Sequence, residues 1–200
     1  MNYPQLAFTK EIKALQEQHG SRLAYERREK HLVRDGLTEN EIRFISERDS
    51  FYLASYGEND FPYIQHRGGP KGFLQVIDER TLGFVDFTGN KQYISVGNIS
   101  THPNVSLILV SYPERARLKL YAKARIVAPE TAPELFQQLD PADYPHLPER
   151  IILLDIQAYD WNCPQHITPR FTAEEVETAM ASQRTYIEQL EAEIKRMKAK

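Results

Sequence analysis

Leu118-Lys119-Leu120-Tyr121-Ala122-Lys123-Ala124-Arg125-Ile126 alternates apolar and polar side chains without a break. A strand points successive side chains to opposite faces. This stretch therefore has one dry face, Leu118, Leu120, Ala122, Ala124 and Ile126, and one wet face, Lys119, Tyr121, Lys123 and Arg125. Strand-like segments lie on either side: Phe51–Tyr56, Pro62–Arg67, Phe73–Asp78, Leu82–Phe87 and Val105–Ser111 before it, and Ile151–Tyr159 after it. Turn-forming residues separate them, as in Gly57-Glu58-Asn59-Asp60, Arg67-Gly68-Gly69-Pro70, Asp78-Glu79-Arg80 and Thr88-Gly89-Asn90. Loops this short favour antiparallel neighbours, and several short strands at this spacing predict a closed barrel or a sandwich. The fold class is mainly β within an α+β chain, with a short helix expected over residues 131–139.

The flanks read as helices. In residues 1–49, Thr9 precedes Ile12 and Leu15, and Gly20 marks a stop. Ser21 opens a second helix expected to run to Gly36. Thr38 and Glu41 form a T-x-x-E capping box ahead of Ile42 and Ile45. This segment is expected to pack on the strand region, residues 50–171. Residues 172–200 begin with another capping box, Thr172 and Glu175. Val176, Met180, Gln183, Ile187, Leu190, Ile194 and Met197 then recur at steps of four and three, an a/d heptad seam whose polar member is Gln183. The seam suits an amphipathic helix lying on the strands or a short coiled coil between two subunits. A seam so narrow on a helix so charged favours the second.

Composition bounds the function. At 200 residues and 41% hydrophobic, the chain fits one globular domain with a helical appendage. Its 25 basic and 28 acidic residues give a net charge of -3, which argues against a nucleic-acid partner. Cys163 is the one cysteine, so no intrachain disulfide or multi-cysteine zinc site can form. Cys163 and His166 are spaced like half a metal site, but zinc wants three or four convergent ligands, and no metal is expected. Apolar runs such as Leu107–Val110 and Ile151–Leu154 are too short to cross a bilayer, so no membrane association is expected. The start, MNYPQLAFTKEIK, lacks a basic stretch followed by an apolar one, and a cytoplasmic location is expected. There is no G-x-G-x-x-G, no G-x-x-x-x-G-K-[ST] and no G-x-S-x-G.

Three clusters could carry chemistry. Six of the nine glycines fall between 68 and 97, five of them in His66-Arg67-Gly68-Gly69-Pro70-Lys71-Gly72, in Phe87-Thr88-Gly89-Asn90-Lys91 and in Gly97-Asn98. Glycine permits positive φ and close backbone approach to an anion, and Arg67, Lys71 and Lys91 add charge beside it. Thr88 and Asn90 offer donors and acceptors for the edge of a flat ring. The plainer alternative is two hairpin turns carrying solvated basic residues. Trp161-Asn162-Cys163-Pro164-Gln165-His166 is the second cluster, a pocket wall or a strand-to-helix connector with Trp161 in the core. Arg115, Arg117, Lys119, Lys123 and Arg125 form the third, read either as a solvated face or as reaching the same anion as Arg67.

Tyr63-Ile64-Gln65-His66-Arg67-Gly68-Gly69-Pro70-Lys71-Gly72-Phe73, Phe87-Thr88-Gly89-Asn90-Lys91, Gly97-Asn98-Ile99 and Asn162-Cys163-Pro164-Gln165-His166-Ile167 together resemble the flavin-nucleotide-binding branch of the pyridoxamine 5′-phosphate oxidase-like proteins. The resemblance covers roughly residues 42–175. It implies a split β-barrel over residues 50–171 that forms a homodimer with FMN at the subunit interface. By that resemblance His66 and Arg67 face the flavin, Phe87, Thr88, Gly89 and Asn90 edge its ring, and Lys91 meets the phosphate with Arg67. Lys71 and Asn98 join the site, and Trp161, Asn162, Gln165 and His166 close it from the partner subunit. Related split barrels bind haem or a deazaflavin instead. The expected activity is an FMN-dependent oxidoreductase acting on a small-molecule substrate, with His166 as the candidate acid or base. The alternative is a non-catalytic protein that binds or stores flavin or haem. The heptad helix stands where the vitamin oxidases carry a strand that grips substrate phosphate, which argues against pyridoxamine phosphate as the substrate.

Overall fold

The computed structural model describes residues 1–32, 34–141 and 143–199. Helix α1 (Tyr3–Ala7) is capped by Asn2, whose side chain accepts the Gln5 N–H. Thr9 caps α2 (Lys10–Gln18) in the same way, and Gly20 turns the chain with φ +72°. Helix α3 (Arg22–His31) ends five residues before the expected stop at Gly36, and position 33, inside that expected helix, lies outside the described residues. Helix α4 (Glu39–Ser46) starts on the Thr38–Glu41 capping box.

The strands follow: β1 (Ser50–Tyr56), β2 (Pro62–Gly68), β3 (Gln75–Asp78) and β4 (Thr81–Phe87). Helix α5 (Ile94–Thr101) precedes β5 (Asn104–Ser111) and β6 (Ala116–Val127). Helix α6 (Pro133–Leu139), β7 (Pro148–Asn162) and α7 (Ala173–Lys198) complete the chain. Every ladder is antiparallel, in the order β2-β1-β5-β6-β7-β4-β3. The sheet curls until β1 and β2 face β4 across a gap with no backbone ladder among the described residues. Side chains span that gap. Phe51 of β1 meets Phe84 of β4 edge to face at 5.4 Å, and Arg67 of β2 pairs with Asp86 of β4. This is a split barrel.

Leu53, Leu107, Leu109, Leu118, Leu120 and Leu154 fill the interior. The alternation in β6 holds through Ala124, but Ile126 is 37% exposed. Strand β5 pairs with β6 only as far as Lys123, so Ile126 has no neighbour on that side. Strand β7 is apolar on both faces for a second reason. Ile152 and Leu154 point into the barrel, while Ile151 and Leu153 pack outward with Val85 against Leu139 of α6. No helix among the described residues is long and apolar enough to cross a membrane.

The leading helices are tied to the barrel by polar contacts. Tyr3 stacks on Tyr121 at 5.1 Å, and Arg28 reaches Asp160 at 3.4 Å. Glu41 is 3% exposed and accepts from the Thr38 hydroxyl (2.6 Å), the Thr38 N–H (3.0 Å) and Trp161 Nε1 (2.6 Å), with the Tyr159 hydroxyl at 3.1 Å. Burial by itself would push this carboxyl up. The bonds from Thr38, Trp161 and Tyr159 outweigh it and hold the group below the usual carboxylate range. A folded value below the unfolded one contributes stability above the ordinary carboxylate pKa and loses it as pH falls through the folded value. Glu41→Gln should lower the urea-unfolding free energy at pH 7 by about 2–3 kcal/mol. The deficit should shrink below about pH 4. An equal deficit at pH 7 and pH 3 would contradict this account.

Candidate functional site

The gap between β2 and β4 opens into a cavity of about 260 Å³. The inward side chains of β2, Tyr63, Gln65 and Arg67, form one wall, and Asp86, Glu149 and Arg150 form the opposite one. Phe87 and the segment Gly89–Val96 complete it. Asp86 belongs to the interior face of β4 with Leu82 and Phe84, and it is 4% exposed. A buried carboxylate needs partners. It has two: Arg67 across the gap and Arg150, its cross-strand neighbour on β7, at 3.1 Å. Arg150 also pairs with Glu149. The Arg67 guanidinium thus bonds Asp86 through Nη1, while its buried Nε has no partner.

The third wall is the start of α5. Its sequence, Ile94-Ser95-Val96-Gly97-Asn98-Ile99-Ser100-Thr101, is rich in β-branched residues and contains a glycine, so propensity does not announce a helix. Tertiary contacts hold it. Ser95 Oγ donates to Gln65 at 2.7 Å, Asn98 Nδ2 donates to the buried Ser55 hydroxyl at 3.0 Å, and Ile99 is buried. No side chain caps this helix. The N-cap is Tyr93, at φ +55°, and Lys91 two residues earlier is at φ +58°. Non-glycine residues in the left-handed region cost energy and gather at functional sites. The first-turn N–H groups of a helix have no intrahelical acceptor, and they carry the positive end of its dipole. Here Ile94, Ser95 and Val96 line the cavity. Such an end accepts a phosphate.

Of the thirteen residues expected at the site, Arg67, Phe87, Gly89, Asn90 and Lys91 line this cavity. Phe87 rests against His146 at 4.5 Å and Tyr144 at 5.7 Å, which fixes its ring at the rim. Thr88 sits between liners with its N–H bonded to Leu147 O. Asn98 lies behind the cavity, on Ser55. His66 was expected to face the flavin with Arg67; adjacent strand residues point to opposite sides, and within one chain His66 lies on the outer face against Tyr52 at 5.4 Å. Lys71 lies at the other end of the barrel, near Arg48 and Arg170. Trp161 is held by Glu41 and Phe44, so its core reading applies within one chain. Asn162 ends β7 opposite Arg117, and Gln165 and His166 are exposed in the connector to α7. The glycines also divide. A Cβ on Gly69 would fall 2.6 Å from the Phe73 ring and one on Gly72, at φ +80°, 3.0 Å from Ser46 O, so these two serve the turn. A Cβ on Gly89 would meet nothing within 4 Å. The basic series is engaged elsewhere than with Arg67: Arg117 and Arg115 donate to Cys163 O and Pro164 O, Arg125 pairs with Asp155, and Lys119 lies over the Tyr3 ring. Arg115 sits in the turn before β6 rather than on the strand.

Glu149 and Arg150 were not anticipated. The available signal was parity: Arg150 shares the inward face of Ile152 and Leu154, and Asp86 that of Leu82 and Phe84. Opposite charges at cross-strand positions on an apolar face imply a buried pair.

Fold and cavity define an antiparallel split barrel with a polar pocket, lined by Arg67, Asp86, Lys91 and Arg150, at its open seam. The chain belongs to the pyridoxamine 5′-phosphate oxidase family, whose model matches residues 37–158. Solved structures similar to it include a protein of Lactobacillus delbrueckii described as a pyridoxamine 5′-phosphate oxidase, at 18% identity and TM-score 0.49, covering 64% of this chain and 97% of that one. An FMN-binding protein from Syntrophomonas wolfei aligns at 16% identity and TM-score 0.44, over 75% of this chain and 97% of its own. An F420 reductase aligns at 20% identity and TM-score 0.43, over 64% and 98%. Among curated proteins none matches.

Removing one member of a buried ion pair leaves an uncompensated charge. Asp86→Ala should therefore lower the unfolding free energy by about 3–5 kcal/mol, read by urea denaturation. A loss under about 1 kcal/mol, the worth of a surface pair, would show that the arginines do not depend on it.

Proposed function

We propose that this protein binds FMN in the seam cavity and works as a flavin-dependent oxidoreductase on a small molecule, as a homodimer. The observation that carries the reading is the uncapped, cavity-facing first turn of α5 beside the unpartnered Nε of Arg67. The Arg67 Nε is a buried donor without an acceptor, the α5 N–H groups have no intrahelical acceptor, and a phosphate would supply oxygens to both. Lys91 adds an exposed charge at the rim, and Gly89 leaves room beside it. Asp86 offsets the charge of Arg67 and Arg150, so three cations face two carboxylates and the cavity keeps a modest positive surplus.

Bound FMN would bring hydride and single-electron chemistry of its own. The chain's part is to hold and orient it. The α5 N–H groups and Arg67 would fix the phosphate, Asn90 and the Thr88 turn would offer hydrogen bonds to the ring edge, and Phe87 would give it an apolar flank. A cavity of about 260 Å³ lies under the roughly 300–1,000 Å³ usual for small-molecule sites. A second copy completing it is consistent with that size. Such a copy would bring Trp161, Asn162, Gln165 and His166, and His166 is the side chain we assign to proton transfer.

Within one chain the cavity liners include neither histidine nor cysteine, which favours a second reading, a flavin carrier without turnover. Oxidation of reduced nicotinamide by the holoprotein separates the two readings: steady consumption is expected of the enzyme, none of the carrier. Arg67→Ala and Lys91→Ala should each weaken FMN binding roughly 10- to 150-fold in fluorescence titration, the loss of one charge-assisted bond of about 1.5–3 kcal/mol. Unchanged affinity in both variants would remove the phosphate from this cavity.

A further inference from the structure

Helix α7 is 26 residues long and has no buried residue. Val176 and Met180 are each 43% exposed, Ile187 53% and Leu190 40%. Where α7 approaches the barrel, beside a cavity of about 960 Å³, the facing residues are Glu174, Glu175, Thr178 and Ala179. In the heptad that starts at Ala173 these occupy positions b, c, f and g. The a/d seam faces away from the barrel, which sets aside the reading in which that seam lies on the strands. A helix gains most of its stability from packing its apolar stripe, and among the described residues this stripe is left unburied.

We propose that α7 pairs with α7 of a second copy as a parallel, in-register two-stranded coiled coil. The seam places Met180, Ile187 and Ile194 at a, and Val176, Gln183, Leu190 and Met197 at d. Isoleucine at a with leucine at d favours two parallel strands, and the central heptad, Ile187 with Leu190, has that combination. Flanking charges agree, since Glu193 at g faces Lys198 at e of the next heptad on the partner. They would agree with antiparallel pairing as well, through Arg184 with Glu191 and Glu177 with Lys198. Gln183 decides between the two. In a parallel in-register pair it meets its own copy, and two amides can bond each other. In any antiparallel register a d residue meets an a residue, here alanine, methionine or isoleucine, and the buried amide goes unpaired. A parallel register shifted by one heptad sets Gln183 against Val176 or Leu190, with the same penalty. The pairing is also compatible with a barrel dimer, because both helices then leave from the same end along one two-fold axis.

The inference needs a second copy but not the flavin, so its test is independent of cofactor binding. In a Cys163→Ser background, Met197→Cys places one thiol at the last d layer. Parallel pairing brings the two thiols together, and a disulfide-linked dimer should form in a glutathione redox buffer. Antiparallel pairing about the seam centre sets them roughly 25 Å apart, from the rise of 1.5 Å per residue. The cross-link should disappear when Ile187→Asp and Leu190→Asp are added, while FMN titration of the same variant reports separately on the barrel. The proposal is overturned if Met197→Cys stays reduced, or if mixing Met180→Cys with Met197→Cys chains yields the only cross-link. A cross-link that survives the two aspartates would also overturn it.

Discussion

The carboxylate of Asp86 holds this barrel shut. Seven strands curl without closing a backbone ladder, and the two sides of the split meet through side chains. Above the aromatic contact of Phe51 with Phe84, Asp86 takes a guanidinium from each direction, Arg67 from β2 and Arg150 from β7. A buried carboxylate costs far too much unless it is paired and bonded. The geometry of the seam is therefore dictated by one residue's need for partners, and the cavity lies where those partners converge.

The same arrangement leaves donors over. Arg67 spends one nitrogen on Asp86 and keeps another without an acceptor. Helix α5 begins on a left-handed tyrosine where a serine or aspartate would have capped it. Left alone, each of these features is a defect. Side by side in one cavity, with Lys91 at the rim and an aromatic flank from Phe87, they are the basis of the proposed phosphate site. That convergence, rather than any single residue, supports a phosphorylated ligand.

Much of this was legible in the chain itself. The seven strands followed from short apolar segments set between turn residues, and β6 from its period-two alternation, because burial on one face of a pleat writes itself into alternate positions. Both capping boxes, at Thr38 and Thr172, formed as expected. Helix α5 was not legible, since its β-branched residues deny it local propensity and its contacts to Gln65 and Ser55 come from distant sequence. His66 and Arg67 were read as one block, whereas the pleat sends them to opposite faces of β2 within one chain. Glu149 and Arg150 carry no motif and stand more than 60 residues from Asp86 in sequence, so only the parity of charges on an apolar face could have announced them. Trp161 and its neighbours lie away from the cavity within one chain, and a single sequence does not say which copy supplies a wall.

The visible absorption spectrum of the purified protein tests the central claim most directly. The account predicts a two-banded flavin spectrum, either as purified or after addition of FMN and removal of the excess, with one chromophore per chain. A colourless protein after that treatment, or a single sharp Soret band in its place, would contradict it.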